Sequence, residues 1–231
     1  MTTASTLVVI PAHNEAASVG VVVSRVRAVG YPCVVVDDGS EDDTAAVAGR
    51  AGASIVRMPV NVGVGGAMKC GFAYAVSQGF ERVVQVDGDL QHPPEAIPDL
   101  IAAADRGADL VIGSRFSAGY QVTGARRVSM RLLANLVSRR VGTRLDDVTS
   151  GFRVISEPLL SAFARQYPAE YLGDTVEAVL QAGASGATIV QVPVSMQPRR
   201  HGQATPTIAA GGHMARLFVS MMARKPEGMA E

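Results

Sequence analysis

The feature that most constrains this chain is the regular alternation of short β-branched runs with helix-like segments. Leu7–Ile10, Val34–Val36, Ser54–Met58, Arg82–Val86 and Leu110–Ile112 read as buried strands, with helices at Glu15–Val29, Asp43–Ala51, Gly65–Gln78 and Glu95–Arg106 between them. Strand and helix in strict order, joined by short polar turns, predict a mostly parallel α/β sheet with helices on both faces. Ligands of such sheets gather at the carboxyl ends of the strands, so the segments just after each strand should carry the chemistry. After Arg115 the pattern loosens. A helix at Arg126–Val141 precedes a short strand at Phe152–Ile155, helices near Glu157–Arg165 and Thr175–Ala182, and a strand at Thr188–Met196.

A length of 231 residues with 48% hydrophobic side chains suits one domain with a sizeable core, and excludes a disordered chain or a long solvated coiled coil. The net charge is zero, against what a nucleic-acid binder requires, so no nucleic-acid partner is expected. The sum hides a gradient. Residues 1–114 carry 13 acidic and 7 basic side chains, a net of −6, whereas residues 115–231 carry 8 and 14, a net of +6. Seven arginines and no acid lie between Arg115 and Arg144. Cys33 and Cys70 have neither metal-type spacing nor the look of a disulfide framework, which fits a reduced, cytoplasmic setting. The N-terminus shows no secretory leader, and no run is long and apolar enough to span a bilayer.

Four segments follow the early strands. VDGDLQHPPE (Val86–Glu95) sets Asp87 and Asp89 two residues apart, with Gln91 next. Carboxylates that close repel each other unless a cation intervenes, and hard oxygen donors suit Mg²⁺ or Mn²⁺. The plainer alternative is a surface Asx turn. VVVDDGSEDDT (Val34–Thr44) ends its strand on Asp37 and Asp38, divided between nucleotide binding and turn-making, with Asp38 the favoured binder and Ser40 or Asp42 capping the next helix. PAHNE (Pro11–Glu15) offers Asn14 as a helix cap, Glu15 as a ligand contact or helix-end charge, and His13 as a loop residue. NVGVGGAMKCG (Asn61–Gly71) lets backbone approach a ligand, but has Met68 where a dinucleotide fingerprint needs its third glycine.

In the second half, GSR (Gly113–Arg115), DDVTSGFR (Asp146–Arg153) and PRRHGQAT (Pro198–Thr205) each place an arginine among small residues, suited to phosphate oxygens. On the Arg126–Val141 helix, Val128, Leu132, Leu133, Leu136, Val137 and Val141 share an apolar arc. That arc fits either an anionic membrane surface or the protein core.

Taken in order, PAHNE, DDGS, NVGVGGAMKCGF, DGDLQHPPE, GSR, DVTSGFR and RRHGQAT resemble the inverting glycosyltransferase family 2, within it the polyprenyl-phosphate branch that includes the dolichol-phosphate mannose synthases. The resemblance implies a GT-A fold with a Rossmann-like, mostly parallel central sheet, in a single domain over 1–231. Residues 1–114 would form the nucleotide-sugar and metal half, 115–205 the acceptor half, and 206–231 an amphipathic tail. It implies Asp87, Asp89 and Gln91 as the site for Mg²⁺ or Mn²⁺, and Pro11, Glu15, Asp37, Asp38, Asn61, Gly65 and Asp87 as the nucleotide pocket. Asp89, Arg115 and Arg153 would be catalytic, and Arg115, Arg127, Ser129 and Arg199 would meet the acceptor phosphate. The implied partners are a nucleotide sugar such as GDP-mannose or a UDP-hexose and a polyprenyl phosphate. The implied location is peripheral, at the inner face of the membrane, through the Arg126–Val141 helix and the tail or through a separate membrane subunit. One departure is Ala204, where the family motif carries serine. Two alternatives stand beside this: a soluble family 2 enzyme with a saccharide acceptor, using Asp147, Glu170 or Asp174 as base, and a non-catalytic nucleotide-sugar-binding subunit.

Overall fold

The computed structural model describes residues 5–115, 124–168 and 173–197. In chain order these form β1 (Thr6–Ala12), α1 (Val19–Ala28), β2 (Cys33–Asp37), α2 (Thr44–Arg50), β3 (Ser54–Arg57), α3 (Val64–Ser77) and β4 (Arg82–Gln85). Then come α4 (Ile97–Ala104), β5 (Leu110–Ser114), α5 (Gly124–Val141), β6 (Arg153–Ser156), α6 (Leu159–Arg165), α7 (Gly173–Ala184) and β7 (Ile189–Pro193). One sheet holds the strands in the order β3-β2-β1-β4-β6-β5-β7. The strands all run in one direction save β6, which is antiparallel to both β4 and β5. The sheet is mostly parallel, as the strand–helix rhythm predicts.

Because both faces are covered, the central strands are apolar throughout. Leu7 and Val9 of β1 face a core built with Met68 and Phe72 of α3, Leu133 and Val137 of α5, Phe163 of α6 and Val179 of α7. Val8 and Ile10 face the other way, onto Val22, Val23 and Val26 of α1 and Ile97 and Leu100 of α4. Burying each such side chain contributes about 1.5–3 kcal/mol. Close approach of α3 to the sheet depends on Gly71, where a Cβ would lie 2.3 Å from Val9 Cγ1. Alanine there must push helix and strand apart.

Helix α1 begins at Val19, four residues later than the periodicity predicts, for a local reason. Asn14 takes a left-handed conformation (φ 55°), and residues 13–16 are tied sideways to the loop after β2 instead of entering the helix. The asparagine therefore does not cap α1. Successive strands move outward from β1 to β2 and β3, then jump back to β4 on its other side. The carboxyl ends of β1 and β4 flank that change of direction, where open α/β sheets bind ligands. Since β6 runs backwards, its first residues lie at this same edge.

Candidate active site

The edge is organised around three loops. After β2, the DDGS turn is locked to its neighbours chiefly through backbone amides. Asp38 accepts from Val62 N–H (2.9 Å) with one oxygen and from Gly63 N–H (2.8 Å) with the other, so both its oxygens hold the Asn61–Gly63 loop. Gly39 has φ +67°, and a Cβ on it would sit 2.7 Å from Asn61 N, so only glycine fits between the two loops. Asn61 turns its own Oδ1 back to Gly63 N–H, and Gly65 is buried in the first turn of α3. Asp38 thus ties the turn to that loop, and Asp37 lies beneath it. Asp37 is fully buried, with Oδ1 accepting from Ser40 N–H at 3.0 Å. Its Oδ2 takes no hydrogen bond from the described residues and has only the exposed Arg57 guanidinium at 3.4 Å.

The PAHNE loop after β1 is fastened to the same turn. Asn14 N–H donates to Ser40 Oγ (2.9 Å) and Glu15 N–H to Thr44 Oγ1 (2.8 Å). His13 Nδ1 donates to Asp38 O (2.9 Å), which leaves its other nitrogen to accept from Asn14. Asp42 accepts from Thr44 N–H at the start of α2, whereas Ser40 serves the loop and caps nothing. Pro11, one residue before the end of β1, sets its carbonyl beside Gly88, and half-buried Glu15 accepts from Ser18 Oγ (2.7 Å).

The third loop carries the paired acids. Asp87 leaves the end of β4 with its side chain 32% exposed, enough to reach a ligand. Asp89 is nearly buried and accepts from Gln91 N–H at 3.0 Å, across a turn in which Leu90 takes a left-handed φ of 70°. The Gln91 carbonyl accepts from Gln197 N–H. Gly151, just before β6, backs onto Asp87 so closely that a Cβ would be 3.4 Å from both carboxylate oxygens. Among the described residues there is no cluster of three or more His, Cys, Asp and Glu side chains fit to cage a metal. Two carboxylates on one turn, one of them open, still fit Mg²⁺ or Mn²⁺, which bind through one or two carboxylates and take further oxygens from substrate phosphates and water.

On the far side of Asp87 the arginines are engaged inward. Arg115 donates to Asp147 through Nε (2.7 Å) and a terminal nitrogen (2.8 Å), and to Thr149 Oγ1 (2.6 Å). Burial alone would raise the Asp147 carboxyl. The hydrogen bonds and charge of Arg115, with the Arg115 and Thr149 N–H groups, outweigh it and hold the carboxyl below its ordinary value. A carboxylate held in that way is poorly placed to serve as a base. Arg153 is 1% exposed and donates to three backbone carbonyls, Ser150 (2.7 Å), Thr175 (2.8 Å) and Val148 (3.1 Å). It joins the DVTSG loop to α7 from inside the fold. Ser129 is exposed on α5. The Arg127, Glu170 and Asp174 side chains, Arg199 with the PRRHGQAT segment, and residues 206–231 lie outside the described residues.

The family profile of Glycosyl transferase family 2 matches residues 7–163, which includes all three loops and both arginines just described. The chain belongs to glycosyltransferase family 2. It is 31% identical over 215 residues to a polyprenol monophosphomannose synthase of Mycolicibacterium smegmatis, covering 87% of this chain and 80% of the relative. It is 31% identical over 213 residues to an undecaprenyl-phosphate mannosyltransferase of Micrococcus luteus, covering 85% of each. Among solved structures, the glucosyl-3-phosphoglycerate synthase of Mycobacterium tuberculosis with phosphoglyceric acid superposes at TM-score 0.73 and 23% identity, covering 94% of this chain and 79% of that one. The same synthase with Mn²⁺, UDP and glucosyl-3-phosphoglycerate gives 0.68 and 24%. These likenesses bear out the GT-A fold, and the glycosyltransferase is an enzyme of that architecture.

Three groups of this glycosyltransferase escaped the reading of its sequence. Gln85 Nε2 lies 3.5 Å from Asp87 Oδ1, Gly151 closes behind that carboxylate, and buried His92 touches it on the other side. For His92 a signal existed: an imidazole five residues after Asp87 in a short turn can reach back to it.

The α5 arc divides in two. Leu133 and Val137 are buried and Leu136 and Val141 pack against the core, whereas Val128 and Leu132 are 59% and 55% exposed, with exposed Arg131 between them. The core reading holds for the later turns of the helix, and the earlier turns leave their apolar side chains exposed.

Proposed function

We propose that this glycosyltransferase moves a hexose from a nucleotide sugar, GDP-mannose or a UDP-hexose, to a polyprenyl phosphate at the cytoplasmic face of the membrane. The observation that carries the acceptor is the match to two relatives named for polyprenyl-phosphate mannosyl transfer. Alignments of more than 200 residues necessarily run through both the acidic and the arginine-rich halves of the chain. The exposed apolar and basic end of α5 supports contact with an anionic lipid surface. No helix among the described residues is long and apolar enough to cross a membrane.

The reaction is a single in-line displacement with inversion. A phosphate oxygen of the acceptor attacks the anomeric carbon as the bond to the nucleoside diphosphate breaks. That phosphate is already ionised at neutral pH, so no side chain need remove a proton, in keeping with Asp147 being committed to Arg115. The DDGS, PAHNE and Asn61–Gly63 loops, fastened to one another, form a fixed wall for the nucleotide, with half-buried Glu15 and the more open Asp87 as its carboxylates. Asp87 and Asp89 would hold Mg²⁺ or Mn²⁺, whose charge offsets that gathering on the departing diphosphate.

A panel of GDP- and UDP-sugars incubated with undecaprenyl phosphate in anionic vesicles tests this. One donor should yield a hexosyl-phospholipid detected by mass spectrometry, and the chain should float with the vesicles. Transfer to a soluble saccharide with none to the lipid phosphate would overturn the reading.

A further inference from the structure

We propose that His92 is a positioning residue that aims the Asp87 carboxylate at the divalent cation. The imidazole is buried, and it stacks on Phe152 with ring centroids 5.1 Å apart and planes at 14°. Its Nδ1 lies 3.0 Å from the Asp87 backbone N–H. A backbone amide only donates, so Nδ1 must be the bare acceptor and the ring proton sits on Nε2. That N–H faces Asp87 Oδ2 at 3.6 Å, while Gln85 Nε2 faces Oδ1 at 3.5 Å. The backbone of Gly151 closes the third side.

The ring therefore meets Asp87 at two points, one a hydrogen bond and the other a longer contact. It fixes the amide that starts the turn, and it presents an N–H to the carboxylate that ends the side chain. Phe152 fixes the ring plane and belongs to the loop entering β6, so the antiparallel strand contributes to the geometry at the end of β4. An oriented carboxylate loses less freedom on binding a cation than one free to rotate, and outer groups of this kind are worth 10–100-fold in metal affinity. The inference rests on Asp87 being a cation ligand, as in the proposed function.

Two variants separate the contacts. His92→Asn keeps an acceptor for the Asp87 N–H but has no donor at the Nε2 position, whereas His92→Gln restores an N–H there. Mn²⁺ binding, read by electron paramagnetic resonance with UDP or GDP present, should weaken about 10–100-fold in His92→Asn and recover most of that in His92→Gln. Thermal unfolding of the metal-free proteins should differ little. Equal Mn²⁺ affinity in wild type and His92→Asn would overturn the inference while leaving the cation site standing. Absence of Mn²⁺ binding by wild type would overturn both. In the wild-type chain, nitrogen NMR should show the His92 proton on Nε2 and a shift of that signal on adding Mg²⁺ with nucleoside diphosphate. A proton on Nδ1, or an unmoved signal, rejects the assignment whatever the variants do.

Discussion

The two ends of the site edge treat charge differently. At the ends of β2 and β4, carboxylates accept from backbone N–H groups, and Asp87 keeps a third of its side chain open. At the ends of β5 and β6, the guanidinium groups are turned inward, Arg115 onto Asp147 and Arg153 onto three carbonyls. The first end keeps one carboxylate, Asp87, partly open, whereas the second ties both guanidinium groups into the fold. A charged residue at a strand end thus marks the address of a site, but its partners decide whether it serves ligand or scaffold.

Substitutions can break that contrast. The largest effect should come from the acidic end. Asp89→Asn is expected to lower kcat by about 10²–10³, or ~3–4 kcal/mol of transition-state stabilisation, at saturating Mg²⁺ or Mn²⁺. Near-normal turnover would remove Asp89 from the cation site.

At the other end the loss should fall on stability. Arg153→Met leaves three buried carbonyls short of a donor and should cost about 3 kcal/mol in urea unfolding. Arg153→Lys should recover little, because one ammonium cannot match a planar fork. Unchanged stability with collapsed kcat would place Arg153 in the chemistry after all.

Asp147→Asn should cost somewhat less, about 2 kcal/mol, the worth of a hydrogen bond to a charged group. Its signature lies in pH. The folded carboxyl sits below its ordinary 3.8, so its stabilisation is complete above that value and is lost as pH falls through the lower folded one. Urea midpoints taken downward from about pH 5 should fall more steeply for wild type than for Asp147→Asn. Parallel curves would show that the ion pair does not hold this loop.

The elements themselves were legible in the sequence because both sheet faces are buried and the strands read as unbroken β-branched runs. Val8–Ile10 and Val34–Val36 could be little else. The direction of β6 was not legible, since four residues, Arg153–Ser156, look the same run either way. The start of α1 was misplaced because the left-handed turn at Asn14 is set by partners some 26 residues away, Ser40 and Glu41. For the site, acids after strands were readable as a group. That Asp38 holds the Asn61–Gly63 loop depends on where the Val62 and Gly63 amides fall, which no local pattern encodes. Arg153 shows the same limit, for nothing in GFR announces that its side chain points into the fold.

The reversed strand has a consequence for what can change in such a chain. Residues 115–152 leave the sheet at the end of β5 and return at the start of β6, through one gate clasped by Arg115 and Asp147. An excursion with both feet on the same threshold can be lengthened, shortened or rewritten at its tip without altering the register of any strand. The outer part of that excursion is then free to change while the sheet beneath it stays the same.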